Sequence, residues 1–407
     1  MGCHRDDPGK PHSREVFGCY VCHGGNPLSG DVETAHRGMV RNPGELEHAG
    51  KSCGQSGCHA GEVERVKKSL MATNRGIIST LRFYWGETDD HDEDITVHGL
   101  VESGATSPAL DYYRKLCGTC HLWMPKNSFP GFLAEKGGGC SACHTPAHDD
   151  FREKPDGHPG ISRRIPLRNC VRCHNRSGRI GLSYQGKYES EGYGSPFHEG
   201  GTSDLELSDG RFFRKIEGDL HYRAGLVCVD CHTGNGIMGN GTGYAHIEGQ
   251  VEISCETCHV DMTQLASIAE AVAAPDSIAG KTALSKALPL VTGVVRHENQ
   301  VMLKGKLDGR FHPLRKLKPD ACRNRLHARL SCQACHSPWV PQCYGCHVRA
   351  DAGKRELDKL AMKETPGMWQ EFKSWMRYES PVLGVAEPHR DERGRAHAGE
   401  VVILVPG

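Results

Sequence analysis

Pairs of cysteines followed at once by a histidine recur along this chain. Eight sets have the spacing Cys-x-x-Cys-His and one is stretched to Cys-x4-Cys-His. The stretched set is Cys53/Cys58/His59, and the eight others are Cys19/Cys22/His23, Cys117/Cys120/His121, Cys140/Cys143/His144, Cys170/Cys173/His174, Cys228/Cys231/His232, Cys255/Cys258/His259, Cys332/Cys335/His336 and Cys343/Cys346/His347. Two thiols at this spacing can bond to the two vinyl groups of one haem, and the adjoining histidine then becomes a proximal ligand of its iron. The sequence therefore predicts about nine covalently attached haem c groups.

Paired cysteines also form zinc ribbons and iron–sulfur sites, so the class of site has to be decided by the histidines. Zinc does not require a histidine directly after the second cysteine, whereas a histidine follows every one of the nine pairs here. This regularity favours haem attachment. In the stretched set, two additional residues require a bulged loop to bring both thiols to the same haem.

Sixteen histidines lie outside the nine sets, and nine haems with two histidine ligands each would need nine of them. The candidates for this second axial position are His36, His48, His98, His158, His198, His221, His246, His297, His312 and His327. Four of these precede a motif by a few residues, namely His48, His221, His246 and His327. A histidine so close to its own motif more easily reaches a neighbouring haem. Met39 could compete with His36 for an iron.

The composition agrees with a chain that is filled by cofactors. Only 37% of its 407 residues are hydrophobic, which is low for a globular protein, and buried porphyrin could replace the missing apolar side chains. Lys plus Arg and Asp plus Glu are equal at 50 each, so the charge balance does not favour nucleic acid as a partner. No apolar run reaches about 18 residues, so no transmembrane segment is expected.

The elements that must position these motifs are predicted to be short. With Gly 50 and Pro 22 and no long strand alternation, we expect a mainly α and irregular fold, with short helices and loops wrapped around a stacked haem array and little β-sheet. Apolar residues from Val63 to Leu81 predict one packing helix. An Ala-rich helical patch is predicted from Leu265 to Ala274, followed by irregular chain. A capped amphipathic helix is predicted to begin at Thr365-Pro366 and to carry Trp369, Phe372 and Met376.

The spacing of the motifs suggests four regions along the chain. Residues 1–116 would hold two haems and the packing helix, and residues 117–260 would form a central five-haem region. Residues 261–350 would form the Ala-rich insertion followed by two haems. Residues 351–407 would form a haem-free helical segment at the C-terminus.

Two segments carry a resemblance to a known family. The stretch from Cys170 to Leu182 and the stretch from Asp219 to His232 resemble the octahaem tetrathionate reductase and hydroxylamine oxidoreductase group of multihaem c-type cytochromes. The likeness extends over roughly residues 110–350 and rests on the spacing of the motifs along the chain. It implies that a histidine a few residues before a motif serves as a distal ligand, as His221 and His246 would.

Two functions fit this pattern. One is an electron conduit in anaerobic or extracellular respiration, which would exchange electrons with redox partner proteins such as other cytochromes or a quinol-oxidising complex. The other is a respiratory reductase or oxidoreductase that acts on a small nitrogen or sulfur oxyanion or on hydroxylamine at one open haem. Resemblance to the pentahaem nitrite reductases would require a Cys-x-x-Cys-Lys motif, and this chain has none. That absence and the surplus of histidine favour the conduit. No catalytic residue is assigned, and an oligomer or filament is compatible with either function.

Haem c is attached outside the cytoplasm, so we expect a periplasmic or extracellular protein. The segment that begins Met1-Gly2-Cys3-His4 has no signal-peptide pattern. Cys3-His4 could be the end of a tenth haem motif in a chain whose start is missing. Alternatively, Cys3 is a free thiol or pairs with Cys322, the other cysteine outside the motifs.

Overall fold

The structure is a computed structural model of the 407-residue chain. It describes residues 7–145, 158–175, 180–189, 205–207, 212–259, 293–297, 300–315, 329–336, 344–375, 382–390, 396–397 and 399–404. The chain forms two compact units, each made of several segments. The first comprises Met1–Cys173, Met238–Ile247 and Ala350–Gln370, and the second comprises His174–Ile237, Glu248–Arg349 and Glu371–Gly407. The four-region division by motif spacing stays a prediction.

Short helices dominate the part of the chain up to residue 175. They are α1 (Cys19–His23), α2 (Val32–His36), α3 (Leu46–Ala49), α4 (Ala60–Lys67), α5 (Leu70–Thr73), α6 (Arg75–Tyr84), α7 (Val97–Ser103), α8 (Pro108–Tyr112), a π-helix (Tyr113–Cys117), a 3₁₀ helix (Gly131–Glu135), α9 (Ser141–His144) and α10 (Leu167–Val171). Local sequence accounts for several starts. The carboxylate of Asp31 accepts a hydrogen bond from the Thr34 amide, and Ser107 caps α8, whose first residue is proline.

The packing helix predicted from Val63 to Leu81 is three helices, so that prediction was wrong in its continuity. Helices α4, α5 and α6 are separated at Lys68–Ser69 and at Asn74, which has the left-handed backbone angle φ 50°. An αL residue cannot continue a right-handed helix. Val66 therefore packs with Leu46 and Ala72, whereas Ile78 packs in a second cluster with Val97, Leu100 and Tyr113.

The helices after residue 175 are equally short. They are α11 (Ile180–Ser183), α12 (Leu220–Arg223), α13 (Cys228–Cys231), α14 (Gly234–Met238), α15 (Ile247–Gln250), α16 (Cys255–Cys258) and α17 (Cys332–Cys335). The strands are β1 (Lys187–Glu189), β2 (Leu205–Glu206), β3 (Phe212–Lys215), β4 (Val294–His297), β5 (Gln300–Lys304), β6 (Phe311–Pro313), β7 (Tyr344–Asp358), β8 (Lys363–Trp375), β9 (Val382–Val385), β10 (His389–Arg390), β11 (Ala396–His397) and β12 (Val401–Leu404).

The strands form small sheets. Their orders are β1-β3-β2 and β4-β5-β6 in two three-stranded sheets, and β7-β8, β9-β12 and β10-β11 in two-stranded ones. Among the described residues, more lie in helices than in strands. Whether these elements wrap a stacked haem array stays a prediction.

The expectation of irregular chain before residue 321 was wrong for β4, β5 and β6, which form an antiparallel sheet. In β5, Val301 and Leu303 are buried and alternate with the exposed Gln300 and Lys304. These two residues pack with Val294 and Leu226 in one apolar cluster. The period-two alternation is too short to stand out in the sequence, because it spans only one strand. The Ala-rich patch from Leu265 to Ala274 lies outside the described residues.

The amphipathic helix predicted from Thr365 was also wrong, because these residues belong to strand β8. Contacts with distant residues hold the extended form. The ammonium of Lys115 donates to the carbonyl oxygens of Pro366 and Gly367 at 2.7 and 2.8 Å, and the indole of Trp369 donates to Asp111 at 2.8 Å. In a helix, those carbonyl oxygens would accept hydrogen bonds from amides of the same helix. The tertiary contacts therefore outweigh the local helical pattern here. Met376 lies outside the described residues.

In the parts of the chain that the structure describes, no helix is long and apolar enough to cross a membrane.

Candidate haem-attachment sites

Three of the strict motifs occupy single turns of helix, an arrangement that would let both cysteines face one haem. In α13, α16 and α17 the two cysteines are the first and last residues of the turn. Side chains three residues apart in a helix are neighbours on one face. The amide of the following histidine then donates to the carbonyl of the first cysteine, at 2.8 Å for His232 and 3.0 Å for His259.

Residues between the two cysteines help to close these turns. The Asp230 carboxylate accepts from the amide of Val227 at 2.7 Å, and the Thr257 hydroxyl accepts from the amide of Ser254 at 3.0 Å. Ser331 does the reverse in α17 by accepting from the Ala334 amide at 3.3 Å. Each bond satisfies a backbone group that the short helix leaves unpaired at its start.

The stretched motif closes in the same way as the strict ones. The amide of His59 donates to the carbonyl of Cys53 at 2.8 Å, although four residues instead of two separate its cysteines. Gly57 accommodates the additional length with φ 82°. The Gln55 side chain, which lies inside the loop, donates to the carbonyl of Val21 at 2.6 Å and so ties this loop to the first motif.

Three motif histidines have a ring orientation that suits a metal ligand. Nδ1 of His23 lies 2.7 Å from the Val40 carbonyl oxygen, Nδ1 of His144 lies 3.1 Å from that of Ser162, and Nδ1 of His259 lies 2.9 Å from that of Arg315. When Nδ1 donates to a carbonyl, Nε2 carries no proton and can bind a metal. Hydrogen bonds of this kind commonly support histidine ligands.

His121 provides a further test of whether the residues fit a haem. Its side chain is 6% exposed, and its Nε2 is buried without a hydrogen-bond partner. Burial lowers the pKa of His121 to about 4, so the ring is neutral. A buried, neutral nitrogen without a partner is costly unless something binds it. Iron at this position would satisfy it, so the residues fit the predicted cofactor.

Three motif histidines have a second imidazole at the spacing of an axial pair. Metal–imidazole bonds are about 2 Å long, so two imidazoles on opposite sides of one iron have ring centroids about 6 Å apart. The centroid distances are 5.8 Å for His23 and His158, 6.2 Å for His59 and His12, and 6.0 Å for His259 and His221. The structure thus brings the predicted candidates His158 and His221 next to motif histidines other than those nearest in sequence.

Cysteines from different motifs also lie next to one another within the first unit. The Cys140 thiol hydrogen-bonds Cys53, which raises the pKa of Cys140 and lowers that of Cys53. Cys120 and Cys173 form a second such pair. None of the sixteen cysteines whose side chains the structure describes is in a disulfide. Adjacent attachment points would place neighbouring haems close together.

Basic side chains lie beside the pair formed by Cys120 and Cys173. Lys136 is buried, and its ammonium lies 3.2 Å from Sγ of Cys120. Burial and the nearby Arg172 lower the pKa of Lys126 to about 8, whereas Glu135, Cys143 and Cys173 act in the opposite direction. Cations beside a haem stabilise its reduced form, so these residues could set its potential.

Other predicted ligands make different contacts in the described part of the chain. His36 is exposed at the end of α2 with its Nδ1 2.8 Å from the Val32 carbonyl oxygen, and His48 is half-buried in α3. The ring of His98 stacks on Trp123 with centroids 3.8 Å apart, and its Nε2 lies 3.3 Å from Glu102.

Three further candidates lie later in the chain. His297 stacks on Phe311 at 4.0 Å. His312 is 9% exposed, and its Nε2 is buried without a hydrogen-bond partner, which suits a nitrogen that would bind a metal. Nε2 of His246 instead donates to the Asp92 carboxylate at 2.6 Å.

Several predicted residues lie outside the described residues, namely His198, His327, Cys343, Cys322 and the segment with Cys3 and His4. Cys346 and His347 fall in strand β7, where only the backbone is described. The motif residues His174, His232 and His336 are exposed.

Sequence reasoning did not select His12 as a ligand, although the structure places it beside His59. Nδ1 of His12 is buried without a hydrogen-bond partner, and burial lowers the pKa of this side chain. No local signal marks it, because His12 follows no motif spacing and meets His59 only through the fold.

Two tyrosines lie beside motif cysteines. Tyr113 is fully buried near Cys117 and Cys120, and its hydroxyl accepts from the Asn74 side chain at 2.8 Å. The hydroxyl of Tyr184 donates to the Leu226 carbonyl at 2.9 Å. Burial raises the pKa of both. Each hydroxyl is thus hydrogen-bonded to another group of the protein.

Comparisons of this chain with known protein families, with curated proteins and with solved structures found no match in any of the three.

Proposed function

We propose that this chain is a multihaem c-type cytochrome that conducts electrons through about nine covalently bound haem c groups. The observation that carries the proposal is the set of nine Cys-Cys-His motifs. In the strict motifs of His144, His232, His259 and His336, as in the stretched motif of His59, the histidine amide donates to the carbonyl of the first cysteine. Zinc ribbons have no need for this adjoining histidine.

The residues of the chain would act as anchors and ligands. Each pair of thiols fixes one haem to a single turn, and the motif histidine presents Nε2 while a backbone carbonyl holds its Nδ1, as for His23, His144 and His259. Haem c supplies a one-electron iron couple when it is bound. The buried Nε2 of His121 supports the same role.

Conduction is favoured over catalysis by the histidine pairs. Where a second imidazole lies at axial spacing, as His158 does for His23, both axial positions of an iron would be filled and no substrate could bind there. Cysteines of different motifs lie in contact, which supports short distances between haems. A reductase would need one haem without such a second ligand.

We further propose a periplasmic or extracellular location and redox proteins as partners, because haem c is attached outside the cytoplasm. Other cytochromes or a quinol-oxidising complex would suit as donors. The equal numbers of acidic and basic residues do not favour a nucleic-acid partner.

The test is a haem count combined with ligand spectroscopy. We expect nine haems per chain by haemochrome assay and intact mass, and mainly low-spin ferric signals by electron paramagnetic resonance. The double variant Cys19→Ser/Cys22→Ser should lose one haem, whereas the matched variant Cys322→Ser, outside every motif, should lose none. Eight haems in the unmodified protein would remove the Cys53/Cys58 site, and fewer than seven would reject the proposal. A large high-spin fraction would favour the reductase instead.

A further inference from the structure

A cluster of two imidazoles and one carboxylate lies apart from the haem motifs. It consists of His91, Asp92 and His246, one ligand atom of each lying within 4.8 Å of the others. We propose that these three residues bind a divalent transition-metal ion, with Zn²⁺ as the representative. This inference is independent of the proposed electron transfer.

The donor atoms already converge. Nε2 of His246 lies 2.6 Å and Nδ1 of His91 lies 3.4 Å from the same oxygen, Oδ1 of Asp92. The two rings are nearly parallel, at 20°, with centroids 4.8 Å apart. Two imidazoles and a carboxylate are a donor set for zinc, copper, nickel and non-haem iron, with coordination positions left for water. Metal binding would displace the proton that His246 shares with Asp92.

One arginine holds the two ligand-bearing segments together. The guanidinium of Arg75 donates to the carbonyl oxygens of Asp92 and of Glu93, the latter at 3.0 Å, and to that of Gly243 at 3.0 Å. It therefore joins the loop of His91 and Asp92 to the segment that leads to His246. Outer hydrogen bonds of this kind orient metal ligands.

Packing fixes the same arrangement. The ring of His91 meets Phe83 edge-on, at 5.2 Å and 84°. A Cβ atom at Gly76 would come within 2.1 Å of the Ala245 carbonyl oxygen, so only glycine allows the segment before His246 to approach helix α6. The site is thus built from packed elements, and His246 is half-buried.

The local charge favours a cation. Arg82 pairs with Glu87 and Glu93, and Arg75 pairs with Asp94. Among the residues that the structure describes, no lysine or arginine forms an ion pair with Asp89, Asp90 or Asp92, and Asp92 pairs with the imidazoles of His91 and His246. A divalent ion would offset this charge.

The test is a titration of the chelator-treated haem protein with Zn²⁺ by isothermal calorimetry. We expect saturable binding at one site, weakened at least about tenfold by His246→Ala and by Asp92→Asn. The matched control Asp89→Asn removes a carboxylate from the same loop that is not a ligand, and it should weaken binding far less than the ligand variants do. Haem content and melting temperature of each variant show that the protein is folded.

Two outcomes would overturn the proposal. One is Zn²⁺ binding that is the same in the unmodified protein and in the variant His91→Ala/Asp92→Asn/His246→Ala. The other is the appearance of a high-spin haem in His246→Ala, which would make His246 an axial ligand. A failure of zinc binding with nine haems still attached would leave the proposed electron transfer standing.

Discussion

The imidazole rings of His221 and His259 lie opposite one another, with centroids 6.0 Å apart and planes inclined at 56°. His259 belongs to the motif of Cys255 and Cys258, whereas His221 precedes the motif of Cys228 and Cys231 in sequence. Nδ1 of His221 lies 2.9 Å from Asp219, and this hydrogen bond raises the pKa of His221. A hydrogen bond to Nδ1 directs the Nε2 edge of His221 away from Asp219 and makes that nitrogen more basic.

We therefore expect His221→Ala to open an axial position on the haem attached at Cys255 and Cys258. Oxidised protein should show one new high-spin centre, which added imidazole should return to low spin. His397→Ala, a substitution of a histidine on strand β11, is the control and should leave the spectrum unchanged. Location of the new open iron on Cys228 and Cys231 in a structure of the variant would contradict the pairing.

The stretched motif makes a prediction about Gly57. Its φ of 82° lies in a region where a Cβ costs about 1–2 kcal/mol, so Gly57→Ala should strain the loop that brings Cys53 and Cys58 together. We expect lower haem occupancy at this site, seen as a mass population that lacks one haem. Gly61→Ala, in the adjacent helix α4 with open space around its Cα, should keep full occupancy. Equal occupancy in both variants would mean that attachment does not depend on this loop conformation.

The buried ion pair of Arg114 and Asp358 makes a prediction about stability. Nε of Arg114 lies 2.6 Å from Oδ2 of Asp358, and both side chains are 6% exposed. Asp358→Ala would leave the guanidinium buried without its counter-charge, which should cost about 3–5 kcal/mol in the free energy of unfolding. The exposed pair Lys67–Glu64 is the comparison, and Glu64→Ala should cost less than about 1 kcal/mol. Denaturant unfolding of both variants measures the difference, and equal losses would contradict the argument.

Lys126 makes a prediction about reduction potential and pH. Its pKa is lowered to about 8, chiefly by burial, and Cys143 and Cys173 are among the nearby groups that act on this pKa. Below about pH 8 the ammonium is charged and favours the reduced haem, so Lys126→Met should lower the potential of a haem attached there. As pH rises above 8, Lys126 loses its proton and the potential of the unmodified protein should fall towards that of the variant.

Spectroelectrochemical titration at pH 6.5 and at a pH above 9 measures this effect. Lys67→Met removes a lysine that pairs with the exposed Glu64, so it should shift no potential. A constant difference between Lys126→Met and the unmodified protein across this pH range would show that the lysine does not titrate there.

The haem-attachment motifs could be predicted from the sequence because their chemistry is local. Two cysteines and a histidine within one turn would carry both the covalent bonds and the first ligand, so no distant residue is needed to recognise Cys228, Cys231 and His232 as a motif. Short helices were likewise expected, since glycine and proline interrupt every long apolar pattern. The loop required by the stretched motif also followed from its length.

The second ligands, the strands and the metal cluster depended on contacts that sequence spacing does not encode. His12 lies beside His59, and His246 beside Asp92, only because the chain folds back on itself. The segment around Trp369 has a helical sequence pattern but forms a strand, because it makes hydrogen bonds with Asp111 and Lys115. An extended strand can reach these partners and a helix cannot. Local covalent chemistry is thus determined by neighbours in sequence, whereas non-covalent pairing is decided by whichever distant groups the packed fold brings within bonding distance.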